Sequence, residues 1–295
     1  MFVSGFVSIV GRPNVGKSTL INSLLGRKLL IVSDKPQTTR NRIQAIFTTE
    51  QAQIIFLDTP GIHKPRHKLG DYMVRAALEA LKGVELVLFM VEATSPPGPG
   101  DSYIAALLRK IETPVFLVVN KTDLAPAQFE EEWLPLYLQQ GEFQNYFLVS
   151  ALQGTNLTPL MQAIIGLLPP GPLYYPPEMS VDRPVEFLVA ELIREKIFLQ
   201  TREEIPHSTA VEVESMVLRE DRDLLDIRAV IYVEKESQKG IIIGKNGAAL
   251  KQIGTEARLE LEKLLGNPVF LDLWVKVKKD WRRKENNLRR FGYDQ

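Results

Sequence analysis

The stretch GRPNVGKS, residues 11–18, follows an apolar, β-branched run, FVSGFVSIV (2–10), and leads into a helical pattern from Lys17 to Leu25 closed by Gly26. A strand, a glycine-rich loop and a helix in that order form a cradle for phosphate. Gly11 and Gly16 let the backbone N–H groups of Arg12, Pro13's neighbours, Asn14 and Val15 turn inward at a helix N-terminus, where the dipole favours an anion. Lys17 places a cation on the β and γ phosphates, and the hydroxyl of Ser18, followed by Thr19, is offered to Mg²⁺.

Reading outward from this loop, RIQAIFTT and AQIIFLD give two strands joined by a tight turn near Glu50–Gln51. ELVLFMVEA, PVFLVVN and YFLVS give three more, and helical patterns fall at 69–82, 101–111, 128–140 and 157–168. Strands alternating with helices predict an α/β domain: a mostly parallel six-stranded sheet with helices on both faces and one antiparallel edge. We place this domain at 1–168. LPPGPLYYPPEMSVDRP is too proline-rich to continue helix or sheet, so residues 169–184 read as a linker. The remainder, 185–295, opens with an amphipathic helix, continues through the alternating strands VEVESMV and IRAVIYVE, and ends in the strand NPVFLDLWVKVKKDW. Between these strands, GKNGAALKQIGTEARLELEKLL reads as two helical segments.

Further motifs sit at strand ends. In DTPG, Asp58 is expected to hold Mg²⁺ through water, with Thr59 and Pro60 completing the turn and the Gly61 N–H reaching the γ phosphate. Of the loop threonines Thr38 and Thr39, we expect Thr39 to reach the metal. In NKTD, Asp123 can accept two hydrogen bonds from guanine N1–H and the 2-amino group. Adenine lacks both donors, and such sites reject the wrong partner by about 10⁴ or more. Asn120 is expected to reach guanine N7 and tie neighbouring loops, the Lys121 stem to cover the ring, and the Ala151 N–H of Ser150-Ala151-Leu152 to reach O6. Together these motifs specify a GTP/GDP site. Ras-like GTPases aim the attacking water with a glutamine after the glycine of this motif. Here that residue is Ile62.

In the C-terminal part, GIIIGKNG (240–247) ends in Gly244-Lys245-Asn246-Gly247, a turn expected to clamp RNA backbone. Ile241, Ile242, Ile243 and the last strand are expected to form an apolar floor for bases. Lys251, Lys276, Lys278 and Lys279 are expected to meet phosphates. Trp274, mid-strand, reads as a core residue. Residues 171–234 carry a net charge of −7 and residues 235–295 one of +6, though the whole chain balances 36 basic against 36 acidic groups. That asymmetry fits a polyanion-binding C-terminal surface.

The single phosphate loop, DTPGIHK, EIPHS (204–208), the proline-rich segment and G-K-N-G together resemble the Era family of GTPases over nearly the whole chain. The resemblance implies a type II KH domain after the GTPase domain, and slow GTP hydrolysis without the Ras-type glutamine. It implies as partners single-stranded 16S RNA near its 3′ end and the 30S subunit. It further implies a cytoplasmic, monomeric protein loosely associated with the inner membrane face. Family members carry a hydrophobic residue at the position of Ile62. Related GTPases with asparagine at the position of Asn14 hold K⁺ beside the phosphates, so Asn14 and a reordered loop at 33–40 are expected to bind K⁺. We therefore expect Lys17, Thr39, Gly61 and Asn14 to carry the chemistry. The opposing reading is a GTP-gated RNA-binding module with negligible hydrolysis. A tRNA-modification GTPase of the same lineage fits less well, because a second catalytic domain and cysteine chemistry are missing. The chain has no cysteine, which excludes disulfides, thiolate metal sites and thiol nucleophiles. No apolar stretch approaches the roughly 18 residues of a membrane span.

Overall fold

The computed structural model describes residues 1–33, 35, 38–62, 68–220 and 222–293. The chain divides into two compact units. The first gathers Met1–Leu30, Thr39–Arg66 and Gly70–Asp182; the second gathers Ile31–Thr38, His67–Leu69 and Arg183–Gln295.

In the first unit the phosphate-loop strand β1 (Val3–Gly11) leads into α1 (Lys17–Leu25), which ends on left-handed Gly26. Next come β2 (Ile43–Thr48), β3 (Ala52–Asp58), α2 (Lys68–Glu79), β4 (Leu86–Glu92), α3 (Pro99–Leu108) and β5 (Val115–Asn120). The unit is completed by α4 (Leu134–Leu138), β6 (Asn145–Leu148) and α5 (Leu157–Leu167). The sheet order is β2-β3-β1-β4-β5-β6, parallel except for β2, which pairs antiparallel with β3. β1, β3, β4 and β5 are buried almost throughout, as strands covered on both faces must be. Register decides where the site lies. Ile9 pairs with Asp58, Gly11 with Met90, and Glu92 with Asn120, so the motif-bearing strand ends line up along one edge. Open α/β sheets bind ligands at that carboxyl edge.

The helix expected at 128–140 is a π turn, Phe129–Trp133, followed by the short α4. Pro135 has no N–H to give the carbonyl of residue 131, so a regular α ladder cannot run through. Residues 169–182 form no regular element, yet they are strapped to the sheet. The Ser4 hydroxyl donates to the Pro172 carbonyl (2.7 Å), and the Ile46 N–H donates to the Ser180 carbonyl (2.9 Å). The buried Gln53 amide accepts from the Tyr174 N–H (2.7 Å) and donates to the Tyr175 carbonyl (2.8 Å).

The second unit contains α6 (Val185–Gln200), α7 (Ile205–Ser208), β7 (Ala210–Arg219), β8 (Leu224–Val233), α8 (Glu236–Ile243), α9 (Ala248–Leu265), β9 (Val269–Val277) and α10 (Glu285–Arg290). β7 pairs antiparallel with β8, across a bulge at Val213/Ser215, and β9 runs parallel to β8 as the other edge. One face of this sheet packs with α6, α8 and α9 around Ile193, Ile197, Ile227, Ile231, Ile253 and Leu261. Two expectations change here. The first of the two helices is α8, ahead of G-K-N-G; the run Ile241–Ile243 is helical, and so short a β-branched run is ambiguous in sequence. The residues after the turn form one helix of 18 residues that passes straight through Gly254. A Cβ at Gly254 would stand 3.4 Å from Leu273 Cδ1, an ordinary contact, so this glycine interrupts neither the helix nor its packing on β9.

α6 also carries buried charges. Arg194 makes a bidentate pair with Glu191 (2.7 and 2.5 Å) and reaches the Thr38 carbonyl. Glu195 accepts the Val32 N–H (2.8 Å), and Lys35 reaches the carbonyls of Phe198 and Thr201. Val32, Lys35 and Thr38 are thus bound to α6 inside the second unit. Beyond β9, Trp281 is fully buried and donates its indole N–H to the Ser208 carbonyl (2.8 Å).

Candidate functional site

Four side chains meet where β1, β3 and α1 converge. Ser18 Oγ lies 2.7 Å from Asp58 Oδ2 and 3.0 Å from Thr39 Oγ1, and Thr39 Oγ1 lies 3.2 Å from the same carboxylate oxygen. Asp58 is fully buried, and its other oxygen, Oδ1, makes no hydrogen bond. Burial pushes the Asp58 carboxyl above its ordinary range, while the Lys17 charge and the hydroxyls of Ser18 and Thr39 pull the other way. An orphaned carboxylate oxygen among two hydroxyls is a hard, oxygen-only donor set, which fits Mg²⁺. Lys17 is buried, donates to the Arg12 carbonyl (3.0 Å), and has its ammonium pushed down to about 8 by burial, against the pull of Asp58. Thr38 instead bonds back to the Lys35 carbonyl (2.7 Å).

The DTPG turn is fastened to this loop. Thr59 Oγ1 donates to the Ile9 carbonyl (2.7 Å), and the Ile62 N–H donates to the Gly11 carbonyl (3.2 Å). A Cβ on Gly61 would sit 2.6 Å from Pro13 N and 2.7 Å from Pro13 Cα, so only glycine allows this approach. The Ile62 side chain is buried among Val10, Leu57, Ala77 and Phe89. The position that bears glutamine in Ras-like proteins is therefore a core position in this fold.

At the base end, Asn120 Nδ2 donates to the Val15 carbonyl (2.8 Å), and the Ala151 N–H donates to Asn120 Oδ1 (2.9 Å). Asn120 thus ties three loops together as expected. The Ala151 N–H, expected on guanine O6, is engaged inside the protein. Ser150 is buried, while Leu152 and Asp123 are exposed at the rim. Asn14 is exposed with a left-handed backbone (φ 67°). Of the loop expected to complete a K⁺ site, residues 34, 36 and 37 lie outside the described residues.

Two carboxylates that belong to no motif hold the site together. Glu92, at the end of β4, pairs through Oε2 with the Lys121 ammonium (2.5 Å) and through Oε1 with Arg12 (3.5 Å). Asp101, fully buried in the first turn of α3, takes Arg12 Nε (2.8 Å) and caps the Gly98 N–H (2.9 Å). One carboxylate therefore anchors both the phosphate loop and the lysine expected over the base. Only the register of β4 with β5 brings Glu92 beside Asn120 and Lys121, and no local motif announces that pairing.

In the second unit, Gly244 (φ 71°) and Asn246 (φ 52°) shape the turn between α8 and α9, with Lys245 and Asn246 exposed. A Cβ at Gly244 would meet Ala249 at 2.7 Å. A groove of about 440 Å³ runs from Gly247 along Leu250, Lys251, Gly254 and Arg258 of α9, facing Leu271 and Leu273 of β9. The expected apolar floor is corrected in its helical half, since Ile242 is fully buried in the core and Ile241 points to solvent, while the last strand does line the groove through Leu271 and Leu273, joined by Leu250. Lys276, Lys278 and Lys279 lie outside it. Lys276 pairs with Glu214 (3.2 Å), and Lys278 sits over the rings of Phe291 (5.3 Å) and Tyr232 (5.7 Å). Trp274, expected in the core, is more than half exposed, because the β-strand period places it on the sheet face opposite the helices.

Two family descriptions match the chain: 50S ribosome-binding GTPase over residues 6–121 and KH domain over residues 204–282. GTPase Era of Alkaliphilus oremlandii is 55% identical over 293 residues, covering 99% of both chains. The chain belongs to the Era family. GTPase Era of Clostridioides difficile is 53% identical over 295 residues, covering 100% of this chain and 99% of its own. Two crystal structures match over the full length of both chains at 42% identity. One is of Era in complex with MgGDPNP and nucleotides 1506–1542 of 16S ribosomal RNA, with a TM-score of 0.96. The other is of an Aquifex aeolicus Era variant bound to GDP·AlF4⁻, with a TM-score of 0.95. This Era-family chain accordingly has a P-loop GTPase domain followed by a KH domain. Among the described residues no helix is long and apolar enough to cross a membrane, and no cluster of three metal-ligating side chains of the His, Cys, Asp and Glu types occurs.

Proposed function

We propose that this chain is a GTP-hydrolysing switch that binds single-stranded RNA near the 3′ end of 16S ribosomal RNA and assists maturation of the 30S subunit. The observation that carries this reading is the convergence of Ser18, Thr39 and the orphaned Asp58 oxygen beside buried Lys17, on a chain that also presents the G-K-N-G groove. The relative crystallised with MgGDPNP and 16S RNA supports placing both ligands on one chain.

In this reading Ser18, Thr39 and Asp58 hold Mg²⁺, which neutralises phosphate charge when bound. Lys17 gives up the loop carbonyls for the β and γ phosphates, and the Gly61 N–H contacts the γ phosphate. Thr39 and Gly61 are then the two points at which the switch segments sense the third phosphate. Asp123 selects guanine, the Lys121 stem covers it, and Asn120 and Ala151 hold the loops around it. Ile62 cannot aim water, so intrinsic turnover is slow and positioning falls to backbone groups, with Asn14 holding K⁺ where an arginine finger acts elsewhere. The groove takes about four nucleotides, with Lys245 and Lys251 on phosphates. Residence in the cytoplasm as a monomer and loose attachment to the inner membrane face rest on the family resemblance; vesicle flotation and sedimentation test them.

The burial of Ile62 also favours a second reading, a GTP-gated RNA-binding module with negligible hydrolysis. Steady-state GTP hydrolysis in K⁺ and then Na⁺, with and without the 1506–1542 RNA, separates the two. RNA-stimulated, K⁺-dependent turnover supports the enzyme and the Asn14 site together. Turnover indifferent to the cation removes the K⁺ site. No turnover with intact GTP binding leaves the gated module.

A further inference from the structure

Helix α1 meets the nucleotide site at its start and reaches it again near its end. Its first turn carries Lys17 and Ser18 at the phosphate loop, and Ser23 lies about 7.5 Å farther along the axis than Ser18. A serine inside a helix ordinarily bonds back to the carbonyl four residues earlier. The Ser23 hydroxyl instead donates to the Ala151 carbonyl (2.6 Å), 128 residues away in the chain. Ala151 is buried, so without Ser23 this carbonyl would be an orphaned acceptor, and the loop would turn to find another donor.

The bond closes a circuit. The Val15 carbonyl accepts from Asn120 Nδ2 (2.8 Å), Asn120 Oδ1 accepts from the Ala151 N–H (2.9 Å), the Ala151 carbonyl accepts from Ser23, and α1 leads back to Val15 through Gly16. The circuit is tight, since a Cβ at Gly16 would stand 2.3 Å from Asn120 Nδ2. The rest of the loop is engaged in the same way. The Ser150 and Thr155 N–H groups donate to each other's carbonyls (3.3 and 3.1 Å), and the Gln153 N–H donates to Ser150 Oγ (3.1 Å). Among the described residues no acceptor meets the Leu152 N–H. In a trans peptide the N–H points opposite to the C=O. Pulling the Ala151 carbonyl onto α1 therefore turns the Leu152 N–H away from that helix, at the exposed rim that Leu152 shares with Asp123.

We propose that Ser23 is a positioning residue for base recognition, which by holding the Ala151 carbonyl aims the Leu152 N–H at the oxygen on C6 of the purine. The inference rests on the guanine-nucleotide reading and deepens it. Asp123 reads N1–H and the 2-amino group, and the aimed N–H reads the neighbouring oxygen. Adenine carries an amino group at C6, which would meet this N–H donor to donor and leave it unpaired. Helix α1 is then a spacer of fixed length, with the phosphates at one end and the base-reading loop at the other.

The test is a cycle between protein and nucleotide, run on the full-length chain by titration calorimetry with GDP and 6-thio-GDP. The thio analogue keeps N1–H and the 2-amino group and replaces the oxygen by sulfur, a weak acceptor. Wild type should favour GDP by roughly fivefold. S23A should lower GDP affinity by about that factor, leave 6-thio-GDP nearly unchanged, and so bring the ratio to about one. S23T, which keeps the hydroxyl, should restore the ratio. L152P, which removes the N–H at an exposed position, should behave like S23A. Alanine is the better helix former, so the melting temperature of S23A should not fall. An S23A ratio equal to that of wild type overturns the proposal. Equal weakening of both nucleotides also overturns it, because the tie is then structural only. An L152P protein that keeps the wild-type ratio overturns the assignment of the donor. A wild-type ratio of one overturns recognition of the C6 oxygen and leaves the GTPase reading standing, whereas wild-type protein that binds neither nucleotide overturns both. S23A carries the test by itself should L152P fail to fold.

Discussion

Ile62 carries the sharpest consequence at the scale of single residues. Its side chain belongs to the core, so restoring the Ras-type residue does not restore Ras-type chemistry. I62Q should lower stability by about 2–4 kcal/mol, from lost apolar burial and an unsatisfied amide, without raising kcat. Denaturant unfolding and steady-state turnover on the same variant check both halves. Gly61 is constrained from the other side. G61A drives a methyl into the Pro13 backbone, and displacing the Gly61 N–H should cut hydrolysis by roughly a hundredfold while GDP affinity falls far less. Glu92 acts through the groups it holds. E92Q loses a charge-assisted anchor of Lys121 and should weaken GDP and GTP equally, by roughly tenfold. An equal shift for both nucleotides, with kcat unchanged at saturation, distinguishes positioning from γ-phosphate chemistry. What was legible at this scale follows from where each partner lies. Lys17, Ser18 and Asp58 sit in motifs whose spacing announces them. Glu92 and Asp101 act on Arg12 from about 80 and 90 residues away, and no local pattern encodes that distance. The Ala151 N–H is likewise held from a distance, donating to Asn120 some thirty residues away, a pairing no local pattern encodes.

Elements were easiest to read where their period was unambiguous. The buried strands β1, β3, β4 and β5 are apolar on both faces and bounded by motif residues, so their type is legible in the sequence, whereas their order in the sheet is not. β9 alternates cleanly, yet alternation does not say which parity faces the helices, and Trp274 was placed on the wrong side for that reason. The strapping of 169–182 has no local signature, because the partners of its backbone, Ser4, Gln44 and Gln53, come from the other end of the unit. Helix α10 is held by an acid–base contact with a definite pH sense. Burial alone would raise the Glu212 carboxyl, but hydrogen bonds from Arg290 and Tyr232 lower it below its ordinary range. A carboxylate so lowered stabilises the fold fully above its unfolded value and loses that contribution as pH falls through the folded value. The pinning of α10 should therefore hold at neutral pH and weaken below about pH 4.5. Amide exchange of residues 285–291 across pH 3.5–6, compared with E212Q, reads this. The variant should show fast exchange at every pH.

For the whole molecule, two cores imply two cooperative transitions. The first is built around the six-stranded sheet and the second around Ile193, Ile231 and Ile253. Calorimetry should resolve them. MgGDPNP at about a hundred times its Kd should stabilise the transition of the nucleotide-binding unit by about 2.7 kcal/mol and leave the KH core unmoved. The three tryptophans give the protein its own optical labels. Trp133 packs half-buried against the core of the first unit, Trp281 is sealed inside the second, and Trp274 stands in solvent. The emission spectrum is thus a sum of one red-edge and two bluer components. Replacing Trp274 alone should narrow the band toward the blue, leaving one indole to report melting in each half of the chain without any attached dye.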